Sequence, residues 1–147
     1  MKLNRNIIIA VIFCIVITII VVGYILKSKI QNSEQMHMAL WSNYQIQEKT
    51  IEGKKLKLVV ADTPERWTKG LMFVRKPTSE FDGMIFMYPD YQYRTYWNMN
   101  TFEDLTLYWM KDDTVSSTTQ LPSIEKSKEI VRVSSSEPVN IVVEVIN

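Results

Sequence analysis

The chain has 147 residues, 46% hydrophobic and 22% charged, with 17 Lys and Arg against 16 Asp and Glu. This size fits one modest domain with an accessory segment. The net charge of +1 argues against a nucleic-acid binder, which carries a basic surplus. A single cysteine, Cys14, excludes an internal disulfide and a cysteine zinc cluster, and a single histidine, His37, argues against a multi-imidazole site or a Ser-His-Asp triad. We therefore expect no metal and no cofactor.

An uncharged run of 20 residues, residues 7–26, follows a short N-terminal tail of residues 1–6. All of the run except Thr18 and Gly23 is apolar, and a helix of this length spans roughly 30 Å, the thickness of bilayer hydrocarbon. The run exceeds the apolar core of a cleavable signal peptide, and no small-residue cleavage site follows it. It therefore predicts an uncleaved single-pass signal-anchor, because a buried helix of a soluble protein is rarely apolar on every side.

The charges beside this run indicate an orientation in the membrane. The α-amino group, Lys2 and Arg5 precede it, while Lys27 and Lys29 follow it, so the positive-inside rule is nearly balanced. A very short N-terminal tail usually stays inside the cell. We therefore expect a cell-membrane protein whose C-terminal domain lies outside the cytoplasm.

A polar connector over residues 27–47 separates this run from a globular domain over residues 48–147. Trp41 and Tyr44 suit either the membrane interface, where aromatic residues are favoured, or a docked position on the domain. His37 also lies in the connector, where a lone histidine is most often solvated. The connector therefore predicts no site of its own.

The domain's patterns predict seven short strands and one helix. Thr63 is a suitable N-cap for that helix, Pro64 suits its first position, and Gly70 either ends it or permits close packing. The last strand alternates, with Val143 on one face and Glu144 on the other. The predicted strands are Lys55–Ala61, Met84–Tyr88, Arg94–Asn98, Leu105–Lys111, Val115–Leu121, Ile130–Val133 and Val139–Ile146. The fold class expected is α+β and β-rich: a compact antiparallel sheet or small barrel with one short helix, preceded by the transmembrane helix.

Aromatic residues are the densest feature, with ten between Phe81 and Trp109. If exposed, they would form a shelf that stacks on sugar rings or grips an extended peptide. If buried, they form an aromatic core whose tyrosine hydroxyls reach water. Both interpretations remain open at this stage.

The acidic residues give only weak indications of catalysis. A glycosidase needs two carboxylates across one cleft, whereas Glu103 and Asp104, like Asp112 and Asp113, are neighbours that normally point apart. The segment 112–114 could bind calcium only weakly, since it lacks the EF-hand spacing and glycine. Arg66 and the more distant Arg75 are expected either to pin loops through carboxylates and carbonyls or to clamp an anionic ligand.

Three stretches resemble the domain-of-unknown-function 192 family: residues 63–75 (TPERWTKGLMFVR), 83–86 (GMIF) and 96–101 (YWNMNT). The resemblance covers about 90 residues and implies a compact β-rich fold, common in bacteria and archaea and often exported or membrane-anchored. The family has no established activity. The chain departs from it at Met99, where the family has lysine, and at Thr106, where the family has aspartate, so any chemistry carried by those two residues is lost here.

These observations lead to three hypotheses of function. The first is a membrane-anchored, extracytoplasmic binding or scaffolding module for an envelope glycan, a peptide or a membrane protein; the second is a carboxylate-based hydrolase; the third is a purely structural domain. The family motif has no nucleophile–base pair, which favours a protein that is not an enzyme. The candidate binding residues are Arg66, Arg75, Trp97, Asn98, Asn100 and Thr101. The residues assigned to the structural part of the motif are Gly70, Leu71, Met72, Gly83, Met84 and Phe86.

Overall fold

The computed structural model describes residues 13–29, 41, 43–75 and 80–147. The chain divides into two compact units, Met1–Asn43 and Tyr44–Asn147. In the first unit, residues 13–29 form helix α1, whose side chains are exposed. Within the described ranges, no helix is long and apolar enough to cross a membrane. Residues 1–12, which contain the tail and the first part of the predicted span, lie outside the described residues, as does His37 in the connector.

The second unit contains eight strands and two short helices. They are β1 (Ile46–Ile51), β2 (Lys54–Ala61), α2 (Pro64–Lys69), β3 (Gly83–Gln92), β4 (Thr95–Trp97), β5 (Leu105–Lys111), β6 (Thr114–Leu121), α3 (Ile124–Ser127), β7 (Arg132–Ser134) and β8 (Val139–Ile146). Six strands form one sheet in the order β1-β2-β3-β8-β5-β6, and β4 pairs with β7 in a second sheet. The expectation of a β-rich α+β fold is confirmed.

The expectation of a purely antiparallel sheet is wrong at one pair of strands. Strands β2 and β3 run parallel, from Leu58 beside Gly83 to Ala61 beside Phe86. The reason is the connection between them, because parallel neighbours need a crossover and here the crossover contains α2. The main sheet is therefore mixed and open, with β1 and β6 at its edges.

Two-residue turns close the hairpins at both edges of the main sheet. Glu52 and Gly53 join β1 to β2 with φ of 48° and 78°, the left-handed values of a type I′ turn, which matches the twist of paired strands. Asp112 begins the turn between β5 and β6 with φ of 53°, and the predicted turn over residues 111–114 is confirmed. Strand β1 itself was not predicted, because its sequence IQEKTI has little of the alternation that marks a strand.

Strand β3 runs past its predicted end at Tyr88 and continues to Gln92. Its pairing with β8 shifts register between Met87 and Gln92, the interval that contains Pro89. Proline lacks the N–H that a regular ladder requires, so an irregular segment accommodates it without ending the strand. Tyr88, two residues after Phe86, therefore lies on the same face as Phe86 and lines the pocket with it.

The two faces of the main sheet carry different residues, because successive side chains of a strand point to opposite faces. One face is largely aliphatic: it contains Ile51, Leu56, Leu58, Val60, Ile85, Tyr108, Met110 and Val143. The other face contains Met84, Phe86, Trp109, Val142 and Glu144. Tyr96 of β4 packs over this second face, with its ring centroid 5.0 Å from Phe86 and 5.6 Å from Trp109. The aromatic face is therefore the one that carries the pocket described next.

Candidate functional site

A pocket of about 240 Å³ lies where the end of α2 and the small sheet meet the aromatic face of the main sheet. Its walls come from α2 and the loop after it, from β3, β4 and β8, and from the turn after β4. The lining residues are Trp67, Thr68, Lys69, Gly70, Leu71, Met72, Phe86, Tyr88, Thr95, Tyr96, Trp97, Thr101 and Glu144. Five of these thirteen residues are aromatic and five are polar, so the pocket combines aromatic rings with polar groups.

Local sequence determines where α2 ends and the pocket begins. Thr63 accepts a hydrogen bond from the Arg66 N–H at 3.4 Å, and Pro64 takes the first helical position, as predicted. Gly70 ends the helix with φ of 48°, and its N–H donates to the Arg66 carbonyl at 3.0 Å. The predicted role of Gly70 in ending the helix is therefore confirmed, whereas a Cβ there would lie 3.5 Å from the Phe86 ring, an ordinary contact that does not require glycine.

Glu144 is the principal polar group of the pocket, and only 4% of it is exposed. Its carboxyl accepts a hydrogen bond from the Leu71 N–H, in the loop that follows α2. Burial nevertheless raises the pKa of Glu144 to about 8, because water cannot solvate the carboxylate. At neutral pH the carboxyl group is therefore largely protonated and can donate a hydrogen bond.

Aromatic rings form the pocket's walls at several different angles. Phe86 and Tyr96 meet edge to face at 89°, while Trp67 and Tyr88 are tilted at 44° with centroids 4.8 Å apart. The hydroxyls of Tyr88 and Tyr96 share a hydrogen bond of 2.7 Å. Burial raises the pKa of both tyrosines, so both phenols stay neutral at physiological pH.

Cationic side chains on two sides of the site contact other groups. The Arg94 guanidinium stacks 3.8 Å from the centroid of the Tyr88 ring and donates to Asp90. The Lys69 amine lies 5.4 Å from the Tyr44 ring centroid, and burial lowers its pKa. Within the described chain, none of the ion pairs involves Glu144.

Two of the six predicted binding residues line this pocket. Trp97 is 42% exposed at its mouth, with the Arg132 guanidinium 5.6 Å from the ring centroid. Thr101 is buried, and its N–H donates to the Asn98 carbonyl at 3.0 Å. Trp97 therefore offers a large accessible aromatic surface at the entrance, while Thr101 helps to shape the interior.

Asn98 lies outside the pocket lining and holds backbone together. Its side chain is fully buried, donates to the Pro122 carbonyl and the Ser127 hydroxyl at 2.9 Å each, and accepts from the Val131 N–H at 2.8 Å. The amide can both donate and accept, so one side chain satisfies several groups of the segment that contains α3.

The other three predicted binding residues also lie outside the lining. Arg66 pairs with Asp62 at 2.7 Å, and Arg75 pairs with Glu125 at 2.9 Å and stacks 3.9 Å from the Phe102 ring centroid. Asn100 adopts φ of 58°, and its carbonyl accepts from the Phe73 N–H at 2.9 Å, which ties this turn to the loop after α2.

The residues assigned to the structural part of the motif surround the site. Gly70, Leu71, Met72 and Phe86 line the pocket, and Met84 is fully buried beside it. A Cβ at Gly83 would overlap the backbone carbonyl oxygen of Glu144, so only glycine allows β3 to pair this closely with β8. The glycine therefore determines the position of the strand that carries the buried acid.

The sequence patterns missed Glu144 and Trp67 as site residues, whereas Tyr88 and Tyr96 belong to the ten aromatic residues from which a shelf was considered. The signal for Glu144 is a single acidic residue in an otherwise apolar run, VVEVI, at the centre of the sheet. The adjacent acidic residues considered from the sequence contact other groups. Asp104, for example, accepts hydrogen bonds from Lys126 and from the Ser123 N–H, which lower its pKa. In the parts of the chain that the structure describes, no three metal-ligating side chains come together.

The fold and the pocket define a small β-rich α+β domain with an aromatic cavity. The DUF192 family, described as "Uncharacterized ACR", matches residues 46–147, and the chain belongs to this family. A comparison with curated proteins gives no match.

Solved structures show the same fold. A protein from Sinorhizobium meliloti 1021, provisionally named a transcription regulator, is 24% identical, with 70% of this chain and 79% of that chain covered and a TM-score of 0.53. A protein of unknown function from Novosphingobium aromaticivorans DSM 12444 is 20% identical, with 71% and 83% covered and a TM-score of 0.50. At these identities the likeness concerns the fold alone.

Proposed function

We propose that this chain is a membrane-anchored recognition module that holds its domain outside the cytoplasm and binds an envelope glycan in the pocket beside Glu144. The observation that carries the proposal is the pocket: a concave site that brings aromatic rings and polar groups together can bury and orient a small ligand. The anchor rests on the uncharged 20-residue run over residues 7–26.

Binding is favoured over hydrolysis by the carboxyl groups present. Glu144 is the one carboxyl among the described lining residues, whereas a glycosidase of the common type needs two across the scissile bond. A purely structural domain is also less favoured, because a buried acid and several aromatic rings line a pocket that is open to solvent. The pocket has a volume of about 240 Å³, and Trp97 in its lining is 42% exposed.

Binding is tested with the full-length chain in detergent micelles, titrated with soluble envelope-glycan fragments. We expect saturable binding that Trp97→Ala weakens at least tenfold, because the substitution removes the exposed ring at the entrance. Tyr93→Ala is the matched control, since Tyr93 is 68% exposed and lies outside the lining. Equal affinity for wild type and Trp97→Ala, or an absence of saturable binding to every glycan, would overturn the proposal.

The membrane part of the proposal has its own test. The full-length chain should float with lipid vesicles and resist extraction at high salt and alkaline pH. Protease added outside intact cells should degrade the domain of residues 44–147. A chain that stays with the soluble fraction, or a domain protected until the cells are lysed, would contradict the anchor or its orientation.

A further inference from the structure

We infer that the pocket takes its ligand by a positively charged ammonium group, which lies among the aromatic rings and pairs with the Glu144 carboxylate. This inference rests on the proposed function and deepens it, because it names the ligand chemistry. The ammonium group of an amino sugar in a glycan has this chemistry, and so has the headgroup of a choline lipid.

The first argument is the incomplete environment of Glu144. A buried carboxyl group without a cationic partner stays protonated, and its charged form becomes stable when a cation pairs with it. Glu144 accepts a hydrogen bond from the Leu71 N–H, yet no cationic side chain among the described residues forms an ion pair with it. The acid lines a cavity large enough for a small ligand, so a ligand cation can supply the missing partner.

The second argument is the arrangement of the rings. The Trp67 and Tyr88 planes meet at 44° and the Phe86 and Tyr96 planes at 89°, so the π-faces point in several directions. All four rings line the pocket, and the negative faces of aromatic rings attract ammonium groups. A neutral sugar needs a flat ring face instead, and Trp97 at the mouth can supply one.

The charged side chains around Glu144 contact other groups, so a ligand can supply the cation that pairs with the carboxylate. Tyr88 and Tyr96 face the acid from β3 and β4, and their phenols are neutral at physiological pH. Arg94 lies against the Tyr88 ring and is held by Asp90, while Lys69 lies at the pocket wall against Tyr44. The raised pKa of Glu144 is consistent with a carboxyl that these cations do not stabilise.

Binding of a cation has a proton balance that can be measured. The carboxyl is protonated before binding; on binding its O–H bond breaks, the electron pair stays on the carboxylate, and the proton goes to the buffer. No covalent bond forms with the ligand. Since the proton must leave, affinity for a permanent cation should rise about tenfold per pH unit up to a pH of about 8 and then level off.

The experiment compares choline with its neutral isostere 3,3-dimethylbutan-1-ol, using calorimetric titration of the full-length chain between pH 6 and pH 9. We expect choline to bind at least tenfold more tightly at pH 8, with the stated pH dependence and with release of about one proton per site at pH 6. Glu144→Gln should abolish the pH dependence and the proton release, and should reduce the preference for choline to the part that the aromatic rings supply. The exposed Glu129→Gln is the matched control and should leave both unchanged.

The outcomes separate the inference from the function on which it rests. Equal binding of the two isosteres, or choline binding without pH dependence, would overturn the ammonium inference. In that case, glycan binding that is sensitive to Trp97→Ala would still support the proposed function. Choline binding with the stated pH dependence supports the inference even where glycans fail. Glucosamine against N-acetylglucosamine, and phosphatidylcholine vesicles against vesicles of an uncharged lipid, then distinguish a sugar from a lipid as the source.

Discussion

The two faces of the main sheet differ most clearly at adjacent residues of β8. Val143 points into a largely aliphatic face whose residues pack against one another. Glu144 points to the opposite face, among aromatic rings and beside a cavity. Both residues are at most 4% exposed, so burial alone does not distinguish them. What differs is whether the surrounding side chains complete the packing.

This difference suggests that the two faces of the sheet have different roles. Branched aliphatic side chains fill space efficiently and need no partners, so the first face contributes mainly stability. The second face combines aromatic rings with a buried carboxyl group beside a pocket, so it is suited to recognition. Changes on the first face should therefore alter folding, and changes on the second should alter binding.

The largest expected effect is on the aliphatic face. Leu58→Ala removes a fully buried side chain from that face and should lower the free energy of unfolding by about 2–5 kcal/mol. Denaturation of the full-length chain, followed by tryptophan fluorescence, measures it. Without denaturant, the folded fraction of this variant should keep the ligand affinity of the wild type. A change in affinity of more than threefold would contradict the separation of stability and binding between the two faces.

The next effect concerns the segment held by Asn98. Asn98→Ala leaves the Val131 N–H and the Pro122 carbonyl without their side-chain partner, at a cost of about 3 kcal/mol. Asn100→Gly is the control, because glycine tolerates the φ of 58° at that position and should change stability by less than about 0.5 kcal/mol. Equal stability of the two variants would show that Asn98 does not act as this clamp.

A third effect is the dependence of stability on pH. The folded chain keeps the Glu144 proton up to a pH of about 8, whereas the unfolded chain releases it near the ordinary pKa of 4.5. Between these values the folded state binds more protons, so stability should fall as pH rises, by up to about 1.4 kcal/mol per pH unit from this group. Glu144→Gln should remove that component, and identical pH profiles for both proteins would contradict the buried neutral acid.

The smallest effect is expected at Arg75. Its ion pair with Glu125 joins two side chains that are both more than half exposed, and solvent weakens such pairs. Arg75→Ala should cost less than about 1 kcal/mol and leave ligand affinity unchanged, since Arg75 lies outside the pocket. A tenfold loss of affinity would extend the site to the Arg75 surface.

Local patterns predicted the elements better than their arrangement. The bounds of β5 and β8 follow from alternation and nearby turn residues, and the capping of α2 follows from Thr63 and Pro64. The parallel pairing of β2 and β3 could not be predicted this way, because alternation shows a strand's faces and not its neighbours.

The site shows the same limit. The motif identified Trp97 as a candidate site residue. It identified Asn98 equally, although the Asn98 side-chain amide hydrogen-bonds backbone groups inside the fold. Alternation placed Glu144 on the face opposite Val143 but could not show that aromatic side chains from α2 and β4 cover that face. Burial by distant elements, which raises the pKa of Glu144, is a property of tertiary structure.

The most direct test of the contrast between the two faces is a carbon-13 NMR titration of the Glu144 carboxyl in the full-length chain, assigned by comparison with Glu144→Gln. A neutral acid buried beside the pocket predicts a midpoint near pH 8 that moves well downward when a cationic ligand is bound. A midpoint near 4.5 in the ligand-free protein would show that the carboxyl is solvated or already paired, and would contradict the account of this face.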